Sequence, residues 1–298
     1  MTSPSLQITG LTHAFGDRTA LDQVGFEVRP GRLTGFVGAN GAGKTTTMRA
    51  IVGVLAPDAG EIAFGGRPMT LEVRRRIGYM PEERGLYPKM KVAEQLVYLA
   101  RILGVAKDQA QDRADGLLEA LGLTDRRDDM LHTLSLGNQQ RVQVAAALIH
   151  EPDLLILDEP FSGLDPIAMD AMAERLRERA DAGVPVLFSS HQLDLVERLC
   201  DDLVLIHQGR VVAAGAARAL REERAGRRYR VEVGGAPAWR PALAGMTVID
   251  AGAAGTLVDL DETADPQALL AAAQAAGPVA HFSRTLPSLA DLFAEVVR

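Results

Sequence analysis

A chain of 298 residues, 47% hydrophobic and 24% charged, has room for one large domain or for a large and a small one. Its formal net charge of −7 argues against a general nucleic-acid binder, which needs a basic surface to displace counterions, and its one cysteine, Cys200, excludes an internal disulfide. No apolar run reaches the roughly 18 residues that span a bilayer, and the opening MTSPSLQITG lacks the layout of a secretory leader, so a cytosolic chain is expected.

The first β-rich runs are residues 6–8, 24–28 and 33–37. The last of them enters a glycine-rich turn and then TTTMRAIVGVL, which predicts a strand, a phosphate loop and a helix. Helices are expected at about 91–103, 112–121 and 138–149, followed by an all-apolar strand at 154–157 and a helix near 168–181. Further apolar strands are expected at 186–188 and 203–206. Continuous apolar strands alternating with helices predict an α/β fold with a parallel sheet covered on both faces. The helical block at about 88–150 interrupts that alternation and reads as an inserted helical subdomain.

Beyond Gly215 the texture changes. YRVEV, GMTVID and AGTLVDL, an Ala-rich helix at 266–276, VAHF and SLADLFAEVV predict strands, a helix, a strand and a helix, a small α+β domain. The expected division is 1–222 and 223–298. At the junction Arg218, Arg221, Arg224, Arg227, Arg228 and Arg230, interleaved with Glu222 and Glu223, read as a solvated helix face and a linker rather than a membrane or RNA patch. Cys200 reads as a small buried apolar residue rather than a reactive thiol.

Gly38, Ala39, Asn40, Gly41, Ala42, Gly43, Lys44, Thr45 and Thr46 follow a predicted strand and open a helix, the context that G-x-x-x-x-G-K-[ST] requires. Glycines let the backbone wrap phosphates, and N–H groups at a helix N-terminus offer donors and positive potential. Lys44 is placed to neutralise the β- and γ-phosphates, the Thr45 hydroxyl to coordinate Mg²⁺, and Thr46 to add a phosphate hydrogen bond. LLILDEP sets Asp158 and Glu159 at the carboxyl end of a buried strand, where open α/β sheets bind ligands. Asp158 is expected to hold Mg²⁺ through water, with Glu159 free to act as general base. Two adjacent carboxylates there are costly without a nearby cation.

With these motifs, residues 5–220 resemble the ATP-binding cassette (ABC) ATPases. LSLGNQQR, residues 134–141, resembles the family's LSGGQ signature; Leu136 and Asn138 depart from it, while Ser135 and Gly137 remain. Those two supply a hydroxyl and a backbone N–H at a helix start, able to bind a γ-phosphate. Ser162, Gly163, Leu164 and Asp165 resemble the D-loop, and His191 in FSSHQL stands where the family's switch histidine contacts the γ-phosphate. Phe15 in LTHAFGDRTAL is at the position that stacks on adenine. In YMPEE, Glu82 takes the place of the family's glutamine, keeping an acceptor oxygen for Mg²⁺ or water and adding a negative charge.

The resemblance implies a P-loop NTPase cassette with a mixed sheet core, cofactors ATP and Mg²⁺, and two cassettes packed head to tail. Ser135 and Gly137 of one cassette then close over ATP bound to the other. It further implies coupling to a separate membrane-spanning permease through the surface around Glu82 to Tyr98, with the chain peripheral on the inner face of the membrane. PEERGLYPKM, the signature variant and PSLADLFAEVV are similar to a branch of bacterial exporter ATPases that includes sodium- and drug-efflux components with a small C-terminal domain. The rival is a soluble ABC ATPase acting on ribosomes or DNA; such proteins often carry two cassettes or a long coiled coil, and this chain has one cassette and a net negative charge. A P-loop kinase or GTPase would lack LSLGNQQR and the His191 element.

Overall fold

The computed structural model describes residues 4–83, 85–236 and 238–297, and the chain divides into two compact units, 1–217 and 218–298. The first unit runs β1 (Leu6–Phe15), β2 (Arg18–Val28), β3 (Leu33–Val37), α1 (Lys44–Val52), β4 (Ala59–Phe64), β5 (Arg67–Pro68), α2 (Leu71–Arg74) and β6 (Ile77–Met80). It continues with α3 (Val92–Ile102), α4 (Lys107–Ala120), α5 (Leu136–Leu148), β7 (Leu154–Leu157), α6 (Pro166–Asp181), β8 (Val186–Ser190), α7 (Leu193–Leu199), β9 (Asp202–His207) and β10 (Arg210–Ala216).

Every residue of β3, β7 and β8 is buried, as expected of strands covered on both faces. They lie at the centre of a six-stranded sheet of order β10-β9-β3-β8-β7-β6, parallel except where β10 turns back on β9. A second, antiparallel sheet, β2-β1-β4-β5, was not expected. Its strands alternate buried and exposed side chains or stay half-exposed, so no continuous apolar run marks them. Leu6, Leu11, Leu21 and Val24 of this sheet share one core with Met48 and Ile51 of α1 and with Phe36, Ile156 and Leu187 of the parallel sheet. Phe26 and Phe36, with ring centroids 5.2 Å apart, pin the sheets to each other and so fix β3 under the β1–β2 hairpin.

Residues α3, α4 and α5 form the helical insertion, with their own core of Val92, Leu96, Leu118 and Val142 and the small Ala100, Ala110, Ala114 and Ala145, which let the helices approach closely. Helix α4 starts earlier than the sequence suggests, because its first turns bury only alanines and are otherwise polar. Among the described residues no helix is long and apolar enough to cross a membrane. Cys200 is largely enclosed, and burial pushes its thiol well above the ordinary range, so it does not supply a thiolate.

The second unit contains α8 (Ala217–Arg224), β11 (Arg227–Val233), β12 (Met246–Gly252), β13 (Gly255–Leu260), α9 (Pro266–Ala276), β14 (Val279–Arg284) and α10 (Leu289–Val297). Its sheet, β12-β13-β11-β14, is antiparallel throughout. Helix α9, with Pro266 at its first position and Asp265 capping the Gln267 amide, buries Leu269 and Ala273 against Val231, Val233, Val258 and Leu260. The arginines of the junction are occupied locally. Arg218 pairs with Glu222 at 2.6 Å, Arg221 donates to the Pro287 carbonyl, Arg227 to those of Asp261 and Ala264, and Arg230 to that of Ala254. Arg227, Arg228 and Arg230 sit on strand β11, not in a linker.

Candidate functional site

Between β3 and α1 the chain makes a loop whose shape is set by two glycines. A Cβ at Gly38 would collide with the Ile206 carbonyl of β9, so the loop starts pressed against the sheet. Gly43 has φ 112°, a conformation L side chains rarely adopt, and a Cβ there would lie 2.9 Å from Leu21. Gly43 then caps α1, which has no side-chain cap and no acidic residue in its first turn. The free amides and the positive end of the helix therefore face outward unopposed, an arrangement suited to an anion. Lys44, only 7% exposed, donates from Nζ to the Gly38 carbonyl at 2.6 Å and, more distantly, to that of Ala39 at 3.4 Å. Thr47 donates to the Gly43 carbonyl at 2.9 Å and stiffens the turn.

A cleft of about 650 Å³ opens over this loop, lined by Phe15, Asn40, Gly41, Lys44, Thr45, Thr46, Glu82, Asp158 and Glu159 among others. Phe15, at the end of β1, is 56% exposed, its ring edge-on to His13 with centroids 4.6 Å apart. An apolar face beside a cleft lined by the glycine-rich loop suits a planar base. Arg18, which faces Phe15 across the β1–β2 turn, and Ala20 complete that wall. Neither stands out in the sequence, because only the hairpin register brings them to the loop.

Asp158 is buried at the end of β7. Its amide donates to the Met80 carbonyl at 2.8 Å, and one carboxylate oxygen accepts the Ser189 hydroxyl at 2.5 Å. The other oxygen, Oδ2, is buried with no hydrogen-bond partner. An unmet carboxylate oxygen there is costly unless a cation answers it. With Thr45, which carries a hydroxyl, lining the same cleft, the residues present fit a Mg²⁺. Among the described residues no group of three or more His, Cys, Asp or Glu side chains gathers for a metal.

Glu159 adopts φ 53°, the left-handed region that a glutamate enters only when its surroundings enforce it. Three hydrogen bonds to its backbone do so. Its amide donates to the Ser189 hydroxyl at 2.8 Å, and its carbonyl accepts the Gln140 side-chain amide at 2.7 Å and the Ser162 backbone amide at 3.2 Å, while its Oε2 lies 3.0 Å from Nδ1 of His191, just past the end of β8. Ser189 thus touches both carboxylate residues. Nearby on β6, burial raises the Tyr79 phenol above its ordinary range, the Asp158 charge adds to this and Arg49 on α1 opposes it, so Tyr79 remains a neutral donor.

The remaining residues that the sequence singled out lie elsewhere or at the margin. Gly38 reaches the site through its carbonyl on Lys44. Glu82 is exposed and lines both the cleft and an adjoining cavity of about 180 Å³ formed with Asn40, Leu136, Gln140, Glu159, Ser162 and His191. Ser135 is exposed and caps α5, accepting from the Asn138 amide at 3.4 Å; Asp165 caps α6, accepting from the Ala168 amide at 2.9 Å. Neither these two nor Gly137 lines the cleft of its own chain. Ser162 of the D-loop segment lines the adjoining cavity, while Gln140, within LSLGNQQR, and Ser189, two residues before His191 in FSSHQL, enter the site with roles that the sequence does not mark.

Residues 21–162 match the ABC transporter family, and residues 215–297 match the C-terminal domain of DrrA1-3-like ATP-binding proteins. The uncharacterized ABC transporter ATP-binding protein YhaQ of Bacillus subtilis is 38% identical over 292 residues, 98% of this chain and 98% of that protein. Nod factor export ATP-binding protein I of Ralstonia nicotianae is 38% identical over 216 residues, 72% of this chain and 67% of that one. A solved structure of an ATP binding subunit of an ABC transporter superposes with a TM-score of 0.68 at 34% identity, covering 73% of this chain and 92% of the other. Cleft, sheet order and sequence agree: the chain belongs to the ABC transporter ATP-binding proteins and is an ATPase of that family.

Proposed function

We propose that this ATPase drives an exporter, as a subunit peripheral to the inner face of the cell membrane and docked on a separate membrane-spanning permease. One observation carries the mechanism: the cleft gathers a phosphate loop, a buried acceptor and a propped carboxylate, while Ser135 and Gly137 stand outside it at the start of α5. A phosphoryl-transfer site needs charge stabilisation all around the γ-phosphate. The missing side is supplied by α5 of a second cassette packed head to tail, whether a second copy of this chain or a paralogue. ATP then holds the pair closed, hydrolysis releases it, and the surface around Glu82 to Tyr98 passes the movement to the permease. Export is supported by the Nod factor export relative, and transport, rather than work on ribosomes or DNA, by the transporter descriptions that the relatives carry.

In this reading Phe15 stacks on adenine, and the amides of residues 41–46 with Lys44 hold the phosphates. Thr45 and Asp158, with Glu82 beside them, hold Mg²⁺. Bound there, Mg²⁺ would draw charge from the β- and γ-oxygens. Glu159 orients the attacking water and takes its proton, while His191 steadies the carboxylate and reaches the γ-phosphate. The loop 162–165 lies between the two sites, with Asp165 fixing the start of α6.

Affinity purification from native membranes, with mass spectrometry of what accompanies the chain, tests the assignment. A multi-span membrane protein is the expected companion, and ribosomes or repair factors in its place would refute the transport role. Phe15→Ala should raise the KM for ATP about tenfold with kcat little changed, since stacking on a base contributes about 1–3 kcal/mol; steady-state kinetics give the answer. Ser135→Ala should slow hydrolysis about 100-fold, the cost of one lost donor to a developing charge. Nucleotide titration should show ATP binding retained, and complete loss of binding would argue against a site shared between cassettes.

A further inference from the structure

Gln140 stands on the second turn of α5, the helix that begins with Ser135, yet its buried side chain faces the chain's own hydrolytic residue. Its Nε2 donates to the Glu159 carbonyl at 2.7 Å. Glu159 is held at φ 53° by three hydrogen bonds to its backbone: its amide donates to Ser189 of β8, and its carbonyl accepts the Ser162 amide of its own loop at 3.2 Å and Gln140, the one of the three that comes from α5. The first turn of α5 also packs on the loop that follows Glu159: a Cβ built on Gly137 would lie 3.1 Å from the Gly163 carbonyl, and Leu136 is equally close to the Cβ position of Gly163. These contacts join the start of α5, which carries Ser135 and Gly137, to the segment that carries Glu159.

We propose that Gln140 is a positioning residue that ties α5 to Glu159 of the same chain, so that capture of one nucleotide by α5 sets the carboxylate at the other site. The proposal rests on the paired-cassette reading given above. The physical basis is short. A left-handed glutamate relaxes when a prop is withdrawn, and the Gln140 amide is the prop that moves with α5. Such a link makes the two sites report on each other in both directions, as any coupling between binding events must.

The test uses the full chain. Gln140→Met keeps length and volume but has no donor. It should lower kcat roughly 10- to 100-fold, the scale of a misplaced catalytic group, leave the KM for ATP within about twofold, and bring the Hill coefficient of hydrolysis toward one. Gln140→Glu should be slower still at alkaline pH and should recover relative to the parent as pH falls, because the protonated carboxyl regains a donor; a role in packing alone would not produce that pH profile. Glu159→Gln, run beside them, reports whether ATP pairs the cassettes. If that dimer forms and Gln140→Met retains the parental kcat and Hill coefficient, the tether is overturned and the paired reading stands. If no ATP-dependent pair forms, either with a second copy of this chain or with a paralogous cassette recovered alongside it from native membranes, both are overturned.

Discussion

Glu159→Gln should bind ATP as tightly as the parent and hydrolyse it about 10²- to 10⁴-fold more slowly, the range that a positioned general base contributes. The substitution is nearly isosteric. The Ser189 and Gln140 bonds go to the backbone of residue 159 and survive, and an amide can still meet Nδ1 of His191. What disappears is the ability to take a proton from water. A negative charge beside the γ-phosphate disappears too, so the ATP-bound pair should accumulate and elute as a dimer in size exclusion with ATP. Single-turnover hydrolysis decides the matter, and an unchanged rate would remove Glu159 as the base.

Lys44→Ala should lower ATP affinity roughly 10²- to 10⁴-fold, read by titration calorimetry. Charge-assisted hydrogen bonds are each worth about 1.5–3 kcal/mol, and Lys44 reaches both the β- and γ-phosphates in this reading. The ammonium is already buried and held 2.6 Å from the Gly38 carbonyl, so little freedom is lost when phosphate arrives. Lys44→Arg should not rescue binding, because a planar fork cannot enter a loop wound around a point charge. An affinity within about threefold of the parent would mean that the cleft over α1 is not where the phosphates sit.

The centre of the fold is legible because it obeys a local rule: residues 33–37, 154–157 and 186–190 are short continuous apolar or small-residue runs, which only strands covered on both faces can use. The antiparallel sheet breaks no rule but gives no comparable signal. AGEIAF in β4 is half-exposed along its length, and β1 needs the partner strands β2 and β4 to define which of its faces is inside. The same division runs through the site. Residues 38–46 and the pair Asp158–Glu159 can be read because spacing along the chain fixes their geometry. Gln140 and Ser189 cannot, because they meet Glu159 across 19 and 30 residues, through helix and strand placement that no local pattern encodes.

The hydroxyl of Ser189 imposes an unusually narrow choice of amino acid. It donates to Asp158 and accepts from the Glu159 amide with one and the same atom, at a position wholly shut off from solvent. Alanine would strand both neighbours, cysteine offers only a weak donor and acceptor, and threonine adds a methyl group to a fully buried position. Drift at residue 189 is therefore confined by geometry to very few side chains, because its hydroxyl serves two neighbours at once. A library randomised at this codon and selected for ATP turnover should return serine almost alone.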